Sequence, residues 1–455
     1  MEVLKLSELI EAIGGKVYIS GKKDYFSGVS IDTRQIADDN LYIAIKGEKF
    51  NGNEFVKIAC EKGASICIVD EIKFQSSEIE NATIILVEDT RKALKDLAKY
   101  YRNKLNIKVV GVTGSTGKTT TKDLIAAALS EKYKVFKTKG NFNNEIGLPL
   151  MIFNLDKTYD VAILEMGMSN LYEIHRLADT ARPDISVITN IGISHIENLG
   201  TRENILKAKL EITDFFNKQS VLIINSENDM LMNFKSDEFI VKSIGYNTDF
   251  SYCAKNIELM ENKIAYDLYD NNKLINNKVS INIVGQHNVL NSLLAIAVAR
   301  EFNVDYTDIV RGFINLEATS MRLDIVKVNG MTLIDDSYNA SPDSMKAALD
   351  VQKNIKGGRK IAVLGTMREL GKESYNCHLE VGKYAGVKGI DMLIATGEYV
   401  EAYKEGFNHN DKFYSFESND LAAEFLLKEL KENDVILVKA SRSMKFETIV
   451  NRLKN

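Results

Sequence analysis

Hydrophobic residues along the chain gather into short runs that alternate with amphipathic stretches, and this alternation predicts the fold class. In the middle of the chain, the apolar segments NIKVVGVTG, YDVAILEMG, PDISVITNIG and SVLIINSEND are separated by stretches with a period near 3.6 residues. Strands that alternate with helices in this way are typical of a parallel α/β sheet. The alternation returns near the C-terminus in MTLIDDS, KIAVLGTM, DMLIATG and DVILVKAS, which predicts a doubly wound sheet.

Changes in this pattern divide the chain into three predicted domains of the α/β class. Residues 1–103 contain short strands in LYIAIKG, SICIVD and TIILVED between helices, which predicts a small mixed α/β domain. Residues 104–314 predict a central domain built on the parallel sheet, and residues 315–455 predict a Rossmann-like C-terminal domain.

Within the central block the pattern changes at residues 238–284. There FIVKSIGY, KIAYDLYD and KVSINIVG form short runs with alternating apolar positions, which predicts an antiparallel insertion. The apolar stretch that follows predicts a helix over residues 287–301, and this helix closes the central block.

Length and charge narrow the class of function. A chain of 455 residues exceeds the roughly 250–300 residues at which single cores stop growing. With 58 Lys and Arg against 63 Asp and Glu, the formal net charge is −5, which argues against nucleic acid as the main partner. No apolar run approaches the roughly 20 residues that span a bilayer, so we expect no membrane insertion.

The N-terminus and the cysteines favour a cytoplasmic location. The first residues, MEVLKLSELIEAIGG, carry Glu and Lys and predict an amphipathic helix that Gly14 ends, rather than a signal peptide. The cysteines are Cys60, Cys67, Cys253 and Cys377. Because they form no CxxC pair, they are typical of buried or idle thiols in a reducing compartment.

A Gly-rich turn between a predicted strand and a predicted helix carries the strongest chemical signal. Its residues are Gly114, Ser115, Thr116, Gly117, Lys118, Thr119 and Thr120. Glycines let the backbone approach an anion, and the free N–H groups at a helix start point at it. Lys118 is placed to reach the β- and γ-phosphates, and the Thr119 hydroxyl to bind Mg²⁺. Val112 stands where the strict P-loop motif has its first Gly, so a plain strand–helix turn is the alternative to the ATP- or GTP-type site that we predict.

Two further side chains follow predicted strands at their carboxyl ends, where parallel sheets bind ligands. Glu165 ends YDVAILE and is the carboxylate expected beside a nucleotide–Mg²⁺ site, although a solvated strand-end Glu would look the same. His195 follows ISVITN in the loop GISHIENLG, and a surface role fits the sequence as well as a ligating one.

A helix predicted to begin near Thr201 places one lysine on its apolar face. At about 100° per residue, one narrow stripe contains Ile205, Lys209, Ile212 and Phe216. Lys207 falls on the opposite, solvated face, where Glu211 is its expected i,i+4 partner. A lysine on an apolar face must extend to solvent, find an acid, lose its proton or be chemically modified.

Together these segments resemble the Mur ligases, ATP-dependent enzymes that build the peptide of peptidoglycan, over nearly the whole chain. TGSTGKTT is similar to their phosphate loop, KGNFNNEIGLPL to a substrate-contacting segment, and LEMG and SHIENLG to segments that hold metals. GQHNVLNSLLAIAVA is similar to the helix that contacts adenine, and MRLD, DDSYNASPDSMKAAL and VKASRS to parts of the C-terminal domain. Many members of one branch carry Gly before the Arg that matches Arg322, whereas Met321 stands here.

The resemblance implies the site residues. ATP would be bound by the phosphate loop together with Asn288, Asn291, Arg322 and Asp336. Two Mg²⁺ ions would be held through Thr119, Glu165, His195 and a Lys209 carbamylated by carbon dioxide. The catalytic residues would be Lys118, His195 and Lys209. The substrate would contact Ser30, Thr33, Arg34, Lys46, Asn141, Asn143, Asn144, Tyr338 and Asn339.

Both ends of the chain bear on the reaction that the resemblance implies. DTRQIADDNLYIAIKGEKFNGNEF is similar to a uridine-nucleotide-binding N-terminal domain. DDSYNASPDSMKAAL and VLGTMRELGKES are similar to members that join D-alanyl-D-alanine to UDP-N-acetylmuramoyl-tripeptide, and the DNPR signature of members that add diaminopimelate is absent. ATP would phosphorylate the tripeptide carboxylate, and the dipeptide amine would attack the acyl phosphate.

Two alternatives stay open at the level of sequence. One is another amide ligase of the superfamily, either a third-step Mur ligase or a folylpolyglutamate synthetase, although the folate enzymes lack a comparable uridine-nucleotide domain. The other, from a different class, is a nucleotide-dependent switch protein, which would not need His195 and DDSYNA on one nucleotide. We expect a monomeric cytoplasmic ligase.

Overall fold

The computed structural model describes residues 1–276 and 278–454, and its strands form four sheets. A two-stranded and a five-stranded sheet lie in the N-terminal part, a ten-stranded sheet in the middle and a six-stranded sheet in the C-terminal part. Most strands alternate with helices along the chain, which confirms the predicted α/β class. No helix in the described part of the chain is both long and apolar enough to cross a membrane.

The N-terminal part combines a small, mostly parallel sheet with three helices. Its elements are β1 (Leu4–Lys5), α1 (Leu6–Ile13), β2 (Lys16–Ile19), β3 (Tyr25–Phe26), β4 (Gly28–Ser30), β5 (Asn40–Ile43), α2 (Val56–Glu61), β6 (Ala64–Val69), β7 (Thr83–Leu86) and α3 (Thr90–Lys104). The five strands follow the order β2-β7-β6-β5-β4, and β4 to β7 are parallel. Gly14 ends α1 with a φ of 65°, a left-handed conformation that Gly adopts without strain.

The central part carries the phosphate loop between β8 and α4. Its elements are β8 (Lys108–Thr113), α4 (Lys118–Leu129), β9 (Val135–Lys137), α5 (Gly147–Ile152), β10 (Val161–Glu165), α6 (Glu173–Ala181), β11 (Ile185–Ile188), α7 (Ile196–Leu199), α8 (Arg202–Leu210), β12 (Val221–Asn225), β13 (Ile240–Gly245), β14 (Tyr252–Leu259), β15 (Ile264–Asp270), β16 (Lys273–Leu274), β17 (Val279–Ile281), α9 (His287–Glu301) and α10 (Tyr306–Ile314). The bounds of α9 confirm the helix predicted over residues 287–301.

The central sheet has the order β16-β15-β14-β13-β12-β11-β8-β10-β9, with β17 beside β15. Pairing is parallel from β9 to β14, and β15, β16 and β17 are antiparallel to their neighbours. The prediction that FIVKSIGY belongs to an antiparallel insertion is wrong, because this segment is β13 and extends the parallel sheet beside β12. Alternation of apolar residues fixes which face of a strand is buried, but it does not fix the direction of its neighbour.

The C-terminal part forms a sheet of order β18-β19-β23-β20-β21-β22, in which only the pair of β18 and β19 is antiparallel. Its elements are β18 (Asp324–Val328), β19 (Met331–Asp335), α11 (Pro342–Asn354), β20 (Lys360–Leu364), α12 (Ser374–Val387), β21 (Met392–Thr396), α13 (Val400–Phe407), β22 (Phe413–Phe416), α14 (Asn419–Glu429), β23 (Val435–Lys439) and α15 (Glu447–Lys454). In the described part of the chain, the short 3₁₀ helices are Thr33–Gln35, Gly52–Phe55, Ser76–Glu78, Glu211–Thr213, Gly371–Glu373, Asn410–Lys412 and Arg442–Met444.

Packing of helices on the central sheet positions the phosphate loop. Helix α4 buries Leu124 and Ile125 in the same hydrophobic cluster as Leu293 and Leu294 of α9 and the sheet residue Val112. Because burial of such side chains fixes the helix against the strand before it, the turn between β8 and α4 is held rigidly at the carboxyl end of the sheet.

Candidate active site

One large cavity, of about 1820 Å³, lies where the carboxyl ends of the central strands face those of the C-terminal sheet. Most of the predicted site residues line it: Ser115, Thr116, Gly117, Lys118, Thr119, Thr120, Asn141, Asn143, Asn144, Glu165, His195, Asn288, Asn291, Arg322, Asp336, Tyr338 and Asn339. The predicted residues that are not part of this lining are Gly114, Lys209, Ser30, Thr33, Arg34 and Lys46.

Other segments of the chain approach the phosphate loop so closely that two of its positions require Gly. A Cβ on Gly114, whose φ is 151°, would lie 1.8 Å from Thr189 Oγ1. On Gly117, whose φ is 79°, it would lie 3.0 Å from Asn291 Oδ1. Side chains at these positions would therefore displace the loop from its supports.

The loop is also tied to the segment after β11, a contact that no sequence motif predicted. Thr116 N donates to Asn190 Oδ1 at 2.8 Å, and Asn190 Nδ2 donates to Thr116 Oγ1 at 2.8 Å. Gly192 N donates to Ser115 Oγ at 2.9 Å. The backbone of the loop is thus fixed before any ligand binds.

Lys118 and Thr119 begin α4 and face the buried carboxylate of Glu165. Lys118 Nζ donates to Gly114 O at 2.8 Å, and burial lowers the pKa of Lys118, against the attraction of Glu165. Thr119 Oγ1 donates to Glu165 Oε2 at 3.0 Å, and Asn143 Nδ2 donates to Glu165 Oε1 at 2.9 Å. A hydroxyl and a carboxylate are therefore placed side by side at the helix start.

This pair of oxygens fits a hard divalent cation. Mg²⁺ is commonly bound by one or two protein oxygens, and its remaining positions are filled by water and by substrate phosphates. Among the described residues, no group of three or more His, Cys, Asp or Glu side chains could hold a metal alone. A cation at Thr119 and Glu165 would depend on the phosphates of a nucleotide.

His195 lies opposite, against a carboxylate from the C-terminal part. Its Nδ1 is 2.5 Å from Glu369 Oε2, and His195 together with Lys118 holds the pKa of Glu369 below its usual range. Both His195 and Glu369 have left-handed backbones, with φ of 66° and 64°. Glu369 lies in VLGTMRELGKES, a segment that the resemblance singled out, but no sequence pattern gave it a role, because the contact joins distant parts of the chain.

Arg322 reaches the phosphate loop from the linker before β18. Its Nη2 is 3.5 Å from Thr119 Oγ1, and its guanidinium carbon is 4.1 Å from the centre of the Tyr338 ring. Its Nε is buried and has no hydrogen-bond partner in the described part of the chain. The neighbours of Arg322, Met321 and Leu323, have φ of 61° and 51°, a conformation that residues other than Gly rarely adopt.

Asp336 follows β19, as predicted, and forms a buried ion pair that was not predicted. Its Oδ2 is 2.5 Å from Lys439 Nζ, and Leu323 N donates to its Oδ1 at 3.2 Å. Lys439 Nζ also donates to Asn339 O at 2.9 Å, while burial lowers the pKa of Lys439. This pair joins the ends of β19 and β23 at the cavity wall.

The start of α9 presents amides to the same cavity. Asn291 Nδ2 donates to Asn288 Oδ1 at 2.8 Å, and Asn288 Nδ2 donates to Val284 O at 2.7 Å. Burial lowers the pKa of the neighbouring His287 to about 4, so its ring is neutral near pH 7. The two amides have fixed orientations, which suits them to contact the polar edge of a base.

Lys209 is buried as the helical stripe predicted, with 2% of its surface exposed. It has no hydrogen bond or ion pair among the described residues, and burial, together with nearby Lys118, lowers its pKa well below the usual range. The helix is shorter than predicted, since α8 ends at Leu210. The predicted pair of Lys207 and Glu211 is wrong.

Glu211 does not pair with Lys207, because it is buried and its carboxylate accepts hydrogen bonds from the start of another helix. Its carboxylate accepts from Tyr172 N at 2.7 Å and from His175 N at 3.1 Å, at the start of α6. Free N–H groups at a helix start are strong donors to a carboxylate. Glu211 therefore contacts these N–H groups and not the exposed Lys207.

The four predicted N-terminal residues lie at the carboxyl ends of β4 and β5, outside the large cavity. Arg34 Nη2 is 2.6 Å from Asp32 Oδ2, and Arg34 holds the pKa of Asp32 at about 2. Ser30 Oγ donates to Asp32 O at 3.0 Å, Thr33 begins a 3₁₀ turn, and Lys46 pairs with Glu71.

A P-loop at the start of a helix, on a parallel sheet and facing a second α/β unit, defines a nucleotide-binding protein. Three family models match the chain: "Mur ligase family, catalytic domain" over residues 25–102, "Mur ligase middle domain" over 112–299 and "Mur ligase, glutamate ligase domain" over 321–442. The chain is 41% identical over 436 residues to the UDP-N-acetylmuramoyl-tripeptide–D-alanyl-D-alanine ligase of Bacillus subtilis, covering 94% of this chain and 93% of that protein. This chain belongs to the Mur ligase family.

A further relative and two solved structures are also similar to this chain over nearly its whole length. The ligase of the same name from Escherichia coli is 31% identical over 457 residues, or 99% of this chain and 98% of that protein. A crystal structure of MurF from Acinetobacter baumannii has a TM-score of 0.91 at 29% identity and covers 100% of this chain and 99% of its own. MurF from Thermotoga maritima in complex with ADP has a TM-score of 0.83 at 28% identity, covering 94% of this chain and 97% of its own.

Proposed function

We propose that this chain is an ATP-dependent amide ligase that adds D-alanyl-D-alanine to UDP-N-acetylmuramoyl-tripeptide in peptidoglycan precursor synthesis. Its similarity to ligases named for this reaction over 94% of the chain supports the proposal. The observation that carries it in the structure is the approach of Arg322 to within 3.5 Å of Thr119, because a nucleotide on the phosphate loop would then lie between two domains. We take these domains as residues 1–103, 104–314 and 315–455.

The chemistry requires two anions, the tripeptide carboxylate and the γ-phosphate of ATP, to meet. Lys118 and Arg322 supply positive charge at the phosphate loop, which lowers the repulsion between them. The carboxylate oxygen attacks the γ-phosphorus and ADP leaves; the dipeptide amine then attacks the acyl carbon. The tetrahedral intermediate collapses to the amide and inorganic phosphate. A closed cavity excludes water that would hydrolyse the acyl phosphate.

Thr119, Glu165 and His195 would hold Mg²⁺, with two ions in all. Bound Mg²⁺ would neutralise phosphate charge and polarise the transferred group. Lys209 would react as a neutral amine with carbon dioxide, forming an N–C bond and releasing a proton to give a carbamate, whose anionic oxygens would orient the second ion. Burial without a partner supports this role, since it favours an uncharged amine.

The remaining assignments follow the three domains. Asn288, Asn291 and Asp336 would bind ATP. Ser30, Thr33, Arg34 and Lys46 would hold the UDP end of the substrate. The rest of the substrate would contact Asn141, Asn143, Asn144, Tyr338 and Asn339. The enzyme would act as a monomer in the cytoplasm, where ATP is available.

The decisive test is phosphate release from ATP by the purified protein. A ligase of this kind releases phosphate only when both UDP-N-acetylmuramoyl-tripeptide and D-alanyl-D-alanine are present, and mass spectrometry should find the pentapeptide product. A third-step ligase would instead require UDP-N-acetylmuramoyl-dipeptide and a diamino acid, and it would not use D-alanyl-D-alanine. A switch protein would hydrolyse ATP without either partner, and that result would refute the proposal.

A further inference from the structure

The linker before β18 runs along one face of the phosphate-loop helix α4. Thr119 and Asp123 are four residues apart in α4, so their side chains lie on the same face, about 6 Å apart along the helix axis. Thr319 N donates to Asp123 Oδ2 at 3.0 Å, and Thr319 Oγ1 donates to the same oxygen at 2.6 Å. Arg322 Nη2 lies 3.5 Å from Thr119 Oγ1. The linker therefore runs antiparallel to α4 and contacts two successive turns of the helix.

The carboxylate of Asp123 is itself held in place. It is buried, with 2% of its surface exposed. Its Oδ1 accepts from Lys137 Nζ at 2.9 Å and lies 3.5 Å from Lys122 Nζ, while its Oδ2 accepts both bonds from Thr319. Lys137 Nζ also donates to Glu317 O at 3.3 Å. Asp123 and Lys137 thus fix the linker at two positions, Glu317 and Thr319.

The guanidinium of Arg322 is not held by ion pairs. Among the residues that the structure describes, no carboxylate pairs with it, its Nε is buried without a hydrogen-bond partner, and its Nη2 has only the long contact with Thr119. The ring of Tyr338, 4.1 Å from the guanidinium carbon, supports it from one side. The direction of this side chain therefore depends on the path of the linker backbone.

That backbone is bent on both sides of Arg322 and is fixed at a further point. Residues 320–323 form bends, and Met321 and Leu323 have φ of 61° and 51°. Leu323 N donates to Asp336 Oδ1 at 3.2 Å, just after β19. Arg322 thus lies between an anchor on α4 and an anchor at the end of β19. Disfavoured backbone conformations persist only where the surrounding structure over-determines them, so we expect the linker to relax when an anchor is lost.

We propose that Asp123 is a positioning residue for the reaction: by holding Thr319 it sets the path of the linker along α4 and so aims the Arg322 guanidinium at the phosphates of a nucleotide on the phosphate loop. The inference rests on the proposed function in taking Arg322 as a source of positive charge at those phosphates. It goes beyond that function by giving a role to a carboxylate that does not bind the phosphates itself, since like charges repel.

The test measures the binding of a non-hydrolysable ATP analogue to the full-length protein by isothermal titration calorimetry. We expect Arg322→Ala to raise the Kd by about 10-fold or more, the value of a hydrogen bond to a charged group, and Asp123→Ala to raise it by a similar factor. Asp123→Asn should bind more tightly than Asp123→Ala, because its amide oxygen can still accept from Thr319. The matched control is Glu131→Ala, which removes a carboxylate just after the same helix, 3.3 Å from Arg311 Nη1, and should leave the Kd unchanged.

Two substitutions of Thr319 test the same contact without leaving a buried charge unpaired. Thr319→Val keeps the shape of the side chain but loses the hydroxyl donor, so it should raise the Kd by about 5-fold. Thr319→Ser keeps the donor and should bind the analogue more tightly than Thr319→Val. These variants decide the inference if Asp123→Ala does not fold, and equal Kd values in the two would overturn it.

A double-mutant cycle separates positioning from a general loss of stability. In an Arg322→Ala background, Asp123→Ala should have no further effect on the Kd. An equal loss in both backgrounds, or unchanged binding in Asp123→Ala while Arg322→Ala is weakened, would overturn the inference and leave the proposed function intact. Unchanged binding in Arg322→Ala would remove the role of Arg322 from the proposed function, and the inference with it. Absence of ligation by a protein that shows the expected cycle would count against the proposed function alone.

Discussion

Lys209 is set apart from the other buried lysines in the described part of the chain by its lack of a partner. Lys122 donates to Thr138 O at 2.9 Å, Lys360 donates to a backbone carbonyl, and Lys439 pairs with an aspartate. An isolated buried cation costs several kcal/mol, so Lys209 is stable there only as a neutral amine or as a modified side chain.

This environment predicts that Lys209→Ala abolishes most activity while the protein stays folded. We expect kcat to fall by about 100-fold or more, the size of effect seen when one group that stabilises transition-state charge is removed. Acetate or formate should restore part of the rate by supplying a carboxylate. The control is Lys207→Ala, two residues away on the exposed face, which should keep its activity. Full activity in Lys209→Ala would contradict the carbamate.

A second prediction concerns Met321, which has a φ of 61°, a conformation that suits Gly better than a residue with a Cβ. A left-handed backbone costs a residue with a Cβ about 1–2 kcal/mol, and replacement by Gly would relieve this strain. Part of that stabilisation is offset because Gly gives the unfolded chain more conformational entropy. Met321→Gly should therefore raise the melting temperature of the C-terminal transition by about 1–3 °C in calorimetry. The control Met331→Gly, in a strand, should lower it. A lower melting temperature for Met321→Gly would show that the linker conformation is not strained.

At the scale of elements, the sequence predicted those helices and strands in which the spacing of apolar residues matches the face that is buried. The helix α9 and the strand–turn–helix around the phosphate loop were predicted with correct positions, since a β-branched run, glycines and a 3.6-residue period coincide there. The strands β18 and β22 were missed, and β13 was given the wrong direction. These depend on which neighbour is available in the sheet, a property of the whole chain rather than of a segment.

The loop between β20 and α12 shows how one buried side chain holds an element in place. His378 Nε2 accepts from Met367 N at 2.8 Å, its Nδ1 lies 2.6 Å from Ser374 O, and the ring stacks on Tyr399 at 4.5 Å. Burial lowers the pKa of His378 to about 4, so the ring is neutral in the folded state. Protonation would break the bond to Met367 N.

This predicts an acid-sensitive C-terminal part. The folded pKa of His378 lies below the unfolded value of 6.5, so the unfolded state binds the proton first and stability falls as pH drops from 6.5 towards 4. The loss between pH 7.5 and 5 is about 2 kcal/mol, or several degrees in the C-terminal melting transition. His378→Gln, whose oxygen can accept from Met367 N, should show a smaller drop. His409→Gln, at an exposed position, should show the full drop, and identical pH dependence in both variants would contradict the assignment.

At the scale of the whole molecule, the site is assembled by contacts that no local motif contains. Asp123 of α4 accepts from Thr319 N at 3.0 Å and from Thr319 Oγ1 at 2.6 Å, which ties the linker to the phosphate-loop helix. Glu369, from the loop after β20, and Lys439, at the end of β23, also contact the site from distant parts of the chain. Sequence motifs therefore predicted most of the candidate residues that line the cavity, whereas the residues that contact them from distant parts of the chain emerged only with the fold.

The separation of the N-terminal sheet from the large cavity gives a prediction about the whole enzyme. Arg34→Ala should raise the KM for UDP-N-acetylmuramoyl-tripeptide by about 10-fold, the value of one charge-assisted hydrogen bond, and leave the KM for ATP nearly unchanged. The melting temperature should not change, because the side chain of Arg34 is 86% exposed and such surface pairs contribute little to stability. Lys57→Ala, which removes a cation paired with Glu78 at 3.0 Å in the same part of the chain, is the matched control and should alter neither KM. An equal rise of both KM values in Arg34→Ala would show that the N-terminal loop does not hold the UDP end separately from ATP.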